Sequence, residues 1–298
     1  MISKYTIFCK VIECGNFTKT AESLGYSQSA VSQAVKGLEL EMGTQLVNRD
    51  KTGITLTADG WSYYPYFQTI KNAEEKLERK KREMEGLENS HIRIGTFTSV
   101  SRNILPEIMH KFKEKYPHVQ FILQQGEYTS IARWLREGSV DLGFINTQIV
   151  KEFHSEMLYE DDMVAVLPKD HPMAFHDSIS LEQLAAESLI LLDEGEHSLP
   201  MNMFQQYGLN PKVEYTVYDD YSILAMVQQG LGVSLLYRKA IEGFEENVVL
   251  LPVKEGLNRS IGLAWKNWET LPLASRKFGE FMIRYIKTKS NNRKGADL

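Results

Sequence analysis

From Gly25 to Glu39 the chain reads GYSQSAVSQAVKGLE, and its polar side chains are of one kind. Gln28, Ser29, Ser32, Gln33 and Lys36 are amides, hydroxyls and one amine, and no acid occurs from Gly25 to Leu38. Spacings of three and four put them on one helical face, with Val31, Ala34, Val35 and Leu38 on the other. Those groups suit base edges: Gln pairs with adenine, Ser with several bases, Lys with guanine or phosphate. A carboxylate there would repel phosphate. A second group suggests different chemistry. Thr98, Ser99 and neighbouring Val100 follow one strand pattern, Thr129 opens a helix, and Asn146 follows another strand. Hydroxyls and amides at helix N-termini after strands suit a carboxylate or other small anion. Helix capping is the plainer account of each hydroxyl taken singly; the convergence of three loops favours a ligand site.

The elements that must position the first group are short and well punctuated. Tyr5, Phe8, Cys9 and Ile12 share a helix face that Gly15 ends. Thr18 is the expected N-cap for a helix over Lys19 to Leu24. Gly25 suits the left-handed position after it, and Ser27 the N-cap of a helix running to about Met42, closed by Gly43. QLVNRDKTGITLT then reads as two strands, Gln45 to Arg49 and Ile54 to Thr57, around the turn Asp50-Lys51-Thr52-Gly53. A hairpin after a recognition helix is a wing, with Arg49 and Lys51 placed to follow phosphates or enter a minor groove, and Thr57 caps the next helix. A solvated helix face is the bland alternative, which this succession makes the weaker one.

Ala58 to Glu88 has a helical pattern with Tyr63, Tyr66, Ile70, Ala73, Leu77, Lys80, Met84 and Leu87 at steps of three and four. Apart from Lys80 that is a coiled-coil seam; packing of a lone helix on its own domain is the alternative. Pro65 adjusts the first turns. Over this span a helix is roughly 46 Å long, enough to hold two winged domains near successive major grooves.

From His91 strands and helices alternate, which argues for mainly parallel sheets with helices on both faces. HIRIG, VQFILQQ and VDLGFI form one set; MVAVL, LILL, VEYTV, VSLLY and VVLLPV form a second; IGLAW leads the chain back. Ser180 and Gln183 make a capping box. The final helix turns Phe278, Phe281, Met282, Tyr285 and Ile286 inward, and a polar, disordered tail is expected after Lys287. Two lobes result, with chain crossings near Asp161 and Lys266, and a cleft between them. Met203, Phe204 and Val233 are its candidate apolar walls, although such residues are more often core.

Composition bounds the rest. The 298 residues, 43% hydrophobic and 24% charged, suit about two soluble domains. Net charge is −5, and charges over the first sixty residues cancel, so a nucleic-acid reading rests on where charges sit. No signal peptide opens the chain and no apolar run of about 18 residues spans a membrane, so a cytoplasmic protein without a membrane partner is expected. Cys9 and Cys14 read as reduced thiols. The histidines form no HExxH or Cys/His cluster, GxSxG is absent, and Gly230-Leu231-Gly232 follows a helix and reads as a turn. EGEHS around Glu194 reads as a polar cleft loop, YEDD (159–162) as a hinge, and Asp220 as a helix cap. Neither an enzyme nor a metal or cofactor site is expected.

Phe17, Ala21, Leu24, the SQSAVS run, Leu38-Glu39, Gly43, Leu46, Arg49, Leu56-Thr57 and Gly60 resemble, in type and spacing, the winged helix-turn-helix of LysR-type transcriptional regulators. ILPEIMHKFKEKYP, LREGSVDLGFI and MVQQGLGVSLLY resemble the effector domain of the same family, which is similar to periplasmic binding proteins. Gln33 stands where the family often has Arg, which bears on operator sequence, and Tyr237 where it often has Pro. The resemblance implies an α+β multidomain chain: residues 1–60 a DNA-binding domain, 61–90 a dimerising linker helix, 91–298 an effector domain with lobe I over 91–161 and 267–298 and lobe II over 162–266. It implies double-stranded DNA bound through Ser27, Gln28, Ser29, Ser32, Gln33, Lys36, Arg49 and Lys51. A small-molecule co-inducer, pairing of effector domains across Ile104–Tyr116 and Val119–Gln125 into a tetramer, and RNA polymerase as a further partner are also implied. A module that senses a metabolite through protein partners alone is the competing class.

Overall fold

The computed structural model describes residues 2–50, 53–84, 90–196 and 198–294, with backbone alone for 79–84 and 290–294. Lys51, Leu87, His197 and the side chains of Lys80 and Met84 therefore lie outside the described residues. Two compact units form, residues 1–85 and, apart from 137–139, residues 86–298.

In the first unit, α1 (Lys4–Cys14), α2 (Phe17–Leu24) and α3 (Gln28–Met42) precede the hairpin of β1 (Val47–Asp50) and β2 (Gly53–Leu56), and α4 (Ala58–Met84) follows. Its core is Phe8, Cys9, Val11, Val31, Val35, Leu38, Leu46 and Val47, all fully buried, with Phe67 of α4 edge-on to Phe8 at 5.3 Å. Complete burial of side chains this size stabilises by about 1.5–3 kcal/mol each. The N-cap of α2 is Asn16, not Thr18. Its carboxamide oxygen accepts from the amides of Thr18 at 2.8 Å and Lys19 at 3.1 Å, and α2 starts two residues earlier, at Phe17. Gly25 follows α2 with φ 69°, where a Cβ would strain the backbone. Gly60 is required by closeness instead: a Cβ would stand 2.1 Å from the Leu46 carbonyl oxygen.

The second unit contains β3 (His91–Thr96), α5 (Thr98–Asn103), α6 (Leu105–Lys115), β4 (Gln120–Gln125), α7 (Tyr128–Glu137) and β5 (Leu142–Asn146). The long β6 (His154–Pro168) leads to α8 (Leu181–Ala185), β7 (Ser188–Leu192), α9 (Leu199–Gln206), β8 (Lys212–Val217), α10 (Asp220–Gln228), β9 (Val233–Tyr237), α11 (Arg238–Ile241) and β10 (Val248–Pro252). Finally β11 (Asn258–Trp265) and α12 (Leu273–Lys294) close the chain. Strand order is β4-β3-β5-β11-β6-β9-β7-β8, with β10 also on β6. Pairing is parallel within each lobe (β3 with β4 and β5, β7 with β8 and β9) and antiparallel where β6 and β11 pass between them. Separate apolar cores fill the lobes, one around Phe112, Phe144 and Phe278, the other around Phe204, Leu235 and Leu236.

Three expectations differ from the structure. MVAVL is only the second half of β6, whose first half, HSEMLYEDD, pairs with β11. Because β11 also pairs with β5, it belongs to lobe I, and the return crossing precedes Asn258 instead of falling near Lys266. Past Lys287 the chain stays helical to Lys294.

Candidate functional site

The N-terminal site is built by α3. Ser27 caps it, its hydroxyl accepting from the Ala30 amide at 3.2 Å, and Gly43 ends it with φ 69°. Val31, Val35 and Leu38 are fully buried beneath, and Ala34 packs against that core. On the outer face Gln28, Ser29, Gln33 and Lys36 are exposed and Ser32 is half-buried. The face ends at Glu39, whose carboxylate turns away: it accepts from the amides of Leu46 at 2.9 Å and Val47 at 3.2 Å. Glu39 also pairs with Arg49 at 3.4 Å, and the Arg49 guanidinium lies 5.0 Å from the Phe17 ring centroid. Arg49 is thus exposed yet oriented by two neighbours. Thr57 caps α4, accepting from the Gly60 amide at 2.9 Å. Cys9 is fully buried, which pushes its thiol up to about 12 and leaves it unreactive.

The second site is a half-open cleft between the lobes, enclosing about 480 Å³ of empty space with the solvent at its mouth included. Its floor is Arg259, opposite Asp161 across the β11–β6 ladder. Arg259 is 4% exposed. It donates to Asp161 at 2.7 and 3.2 Å, to the Tyr128 hydroxyl at 2.7 Å and to the Ser99 hydroxyl at 2.6 Å. Its guanidinium stacks 3.4 Å from the Tyr237 ring centroid, and Phe97 lies at 4.8 Å. One cation thereby holds α5, α7, β6 and β9 in register with β11. From lobe II come two buried acids. Glu194 accepts from the Tyr237 hydroxyl at 2.8 Å and the Leu199 amide at 3.3 Å. Burial raises its carboxyl to about 7, against the pull of Arg259 and Tyr237. Asp220 is 5% exposed; burial raises its carboxyl as well, and its Oδ1 meets no hydrogen-bond donor. The cap of α10 is Asp219, which accepts from the Ser222 amide at 2.8 Å, so Asp220 at the first helical position is left to face the cleft.

Of the expected ligand residues, Thr98 and Ser99 line this cavity. Val100, Phe204 and Val233 are core residues at 1% exposure or less, and Met203 packs against the lobe II core. Thr129 and Asn146 lie outside the cavity lining, each with one buried polar atom lacking a partner. Arg259, Tyr128, Tyr237, Glu194 and Asp220 complete the site. Arg259 had one sequence signal: a lone charge within the apolar strand NRSIGLAW. Among the described residues no group of acids, histidines and cysteines could hold a metal ion, and no helix is long and apolar enough to cross a membrane.

Residues 2–61 match the bacterial regulatory helix-turn-helix protein family of the LysR type, and residues 85–287 match the LysR substrate binding domain. The chain belongs to the LysR family of transcriptional regulators. Over 284 residues this LysR-family chain is 32% identical to the uncharacterized HTH-type transcriptional regulator YvbU of Bacillus subtilis, covering 94% of this chain and 96% of that one. The crystal structure of HinK, a LysR family regulator from Pseudomonas aeruginosa, superposes with a TM-score of 0.59 at 26% identity over 95% of this chain and 97% of its own. The effector binding domain of QuiR, solved in complex with shikimate, shares the fold of the C-terminal unit, with a TM-score of 0.61 at 24% identity over 67% of this chain and 98% of its own. The family is one of transcriptional regulators with DNA-binding and effector-binding domains, not of enzymes.

Proposed function

We propose that α3 enters the DNA major groove and reads an operator through Gln28, Ser29, Ser32, Gln33 and Lys36, with Ser27 at its start and Arg49 and Lys51 of the wing on the backbone. The observation that carries this reading is the outer face of α3, acid-free from Gln28 to Leu38, over fully buried Val31, Val35 and Leu38. Two chains pair along α4, whose Tyr63, Tyr66 and Leu77 are exposed. One winged domain supplies few base contacts, so pairing provides the affinity through effective concentration. Effector domains pair through α6 and the edge strand β4, which exposes Ile122 and Leu123, giving a cytoplasmic tetramer that acts on RNA polymerase from its operator. A small molecule in the inter-lobe cleft shifts the balance between two assemblies by binding one more tightly than the other.

The test is selection of duplexes from a random DNA library by the full-length protein, repeated at several salt concentrations. A DNA-reading regulator selects one sequence, and its affinity falls linearly on a log scale, with a slope of about −0.9 per phosphate contacted. A module working through protein partners alone selects none.

A further inference from the structure

We infer that the ligand of the inter-lobe cleft carries a positive charge: an ammonium-bearing small molecule whose cation sits between Asp220 and Glu194 beside the tyrosines of the cleft. This rests on the reading of the cleft as the effector site and specifies its chemistry.

Most of the features that would hold an anion are already occupied. Arg259 is the one basic side chain among the described residues lining the cavity, and Asp161 takes it at 2.7 Å. The N-terminus of α7, which follows a strand and opens into the cleft, is filled by the chain's own Glu127, accepting from the Ser130 amide at 2.9 Å and the Thr129 amide at 2.5 Å. Asp219 caps α10, and Glu194 takes the first amide of α9 at 3.3 Å. In the six-residue α5 the amides of Val100 and Ser101 return to the Phe97 carbonyl at 3.1 and 3.0 Å, and no side chain caps the amides of Thr98 and Ser99 before them.

What is unsatisfied is negative. Glu127, Asp193, Glu194 and Asp220 line the cavity against one guanidinium that has its own partner. Glu127 and Asp193 are engaged, the latter by the Gly195 amide at 2.9 Å. Asp220 is engaged on one side only: Thr98 hydrogen-bonds its carboxylate, while its Oδ1 is buried and unbonded. A buried carboxylate oxygen without a partner is costly, and it is relieved either by taking a proton or by meeting a cation. An ammonium supplies three donors, enough to meet that oxygen and Glu194 together. Tyr128 and Tyr218 add ring surfaces on which a desolvated cation is favoured, that of Tyr237 being taken by Arg259. An anion placed here would face two acids and, among the described residues, no free base.

The test uses the full-length protein and calorimetric titration with two amines, 1,4-diaminobutane and 2-phenylethylamine, and two acids of similar size, succinate and 3-phenylpropanoate. The expected result is binding of an amine and of neither acid, at least tenfold weaker in Asp220→Asn and in Glu194→Gln. Both replacements keep side-chain shape, and thermal unfolding of each variant checks that it is folded. Binding of an acid and no amine overturns the charge inference; if Thr98→Val then abolishes it, the cleft itself stands as the effector site. Amine binding that survives both carboxamide variants unchanged places the ligand elsewhere and overturns both. Failure of both amines at millimolar concentration overturns the charge inference as well.

Discussion

Glu194 shows how a single side chain links the cleft to stability. It accepts from Tyr237 of β9 and the Leu199 amide of α9, and it lies within the electrostatic reach of Arg259 of β11, Tyr128 of α7 and Asp220 of α10. Its carboxyl titrates at about 7 in the fold and near 4.3 in an unfolded chain. Between those values the folded form keeps a proton that the unfolded form gives up, so stability falls as pH rises through the window and levels off above it. At ~1.4 kcal/mol per pH unit the full effect is about 4 kcal/mol. Glu194→Gln is expected to flatten this fall in urea unfolding at pH 5, 6 and 7, and to be more stable than the wild type at pH 8; an unchanged slope contradicts the assignment. Ser27 acts at the other site through one hydrogen bond. Ser27→Ala is expected to cost about 1 kcal/mol of stability in the same assay, and a change within error would remove it as the cap of α3.

Elements explain why these residues are where they are. Glu39, in the last turns of α3, ties the wing to the helix through the Leu46 and Val47 amides and Arg49. Glu39→Ala leaves two partly buried amides without an acceptor, at about 1–3 kcal/mol, and frees Arg49, so chemical denaturation should show that loss together with weaker operator binding. The β6–β11 crossing has a larger stake. Asp161→Ala strands a buried guanidinium, and a cost of about 3–5 kcal/mol in unfolding experiments is expected; a cost below 1 kcal/mol would mean that Arg259 is satisfied without it. Helix ends were readable from sequence because capping is local: Gly25, Ser27, Gly43 and the Ser180–Gln183 box all act within four residues. The Asn16 cap was missed because Thr18, two residues on, is also a capping type. The first half of β6 was missed because its acids suit a loop; only pairing with β11, about a hundred residues later, makes it a strand. The cleft was half legible. Thr98 and Ser99 sit at a strand end, but the bond from Arg259 to Ser99 spans 160 residues, and no local pattern announces a contact of that range. Phe204 and Val233 were drawn into the cleft by their apolar type, which equally fits the core they occupy.

At the scale of the whole molecule, regulation needs more than one chain. On α4, Tyr66 is 69% and Leu77 60% exposed, while Phe67, one residue on from Tyr66, is buried against Phe8. The helix therefore serves its own domain with one face and offers an aromatic and aliphatic stripe with another. Leu77→Asp is expected to shift the protein to monomers in sedimentation experiments and to lower operator affinity at least tenfold, as bivalent binding is lost; unchanged assembly would exclude the stripe as the interface. Between the DNA face and the cleft the coupling is thermodynamic: a ligand alters operator affinity only by as much as operator DNA alters ligand affinity. The claim on which the rest depends is that the amides and hydroxyls of α3 select sequence. Its most direct test is titration of Ser32→Ala/Gln33→Ala against the selected operator and against random duplex DNA. The account predicts that the ratio of the two affinities falls by roughly tenfold or more, since a good base contact is worth about 1–3 kcal/mol, with random-DNA affinity unchanged. An unaltered ratio would contradict it.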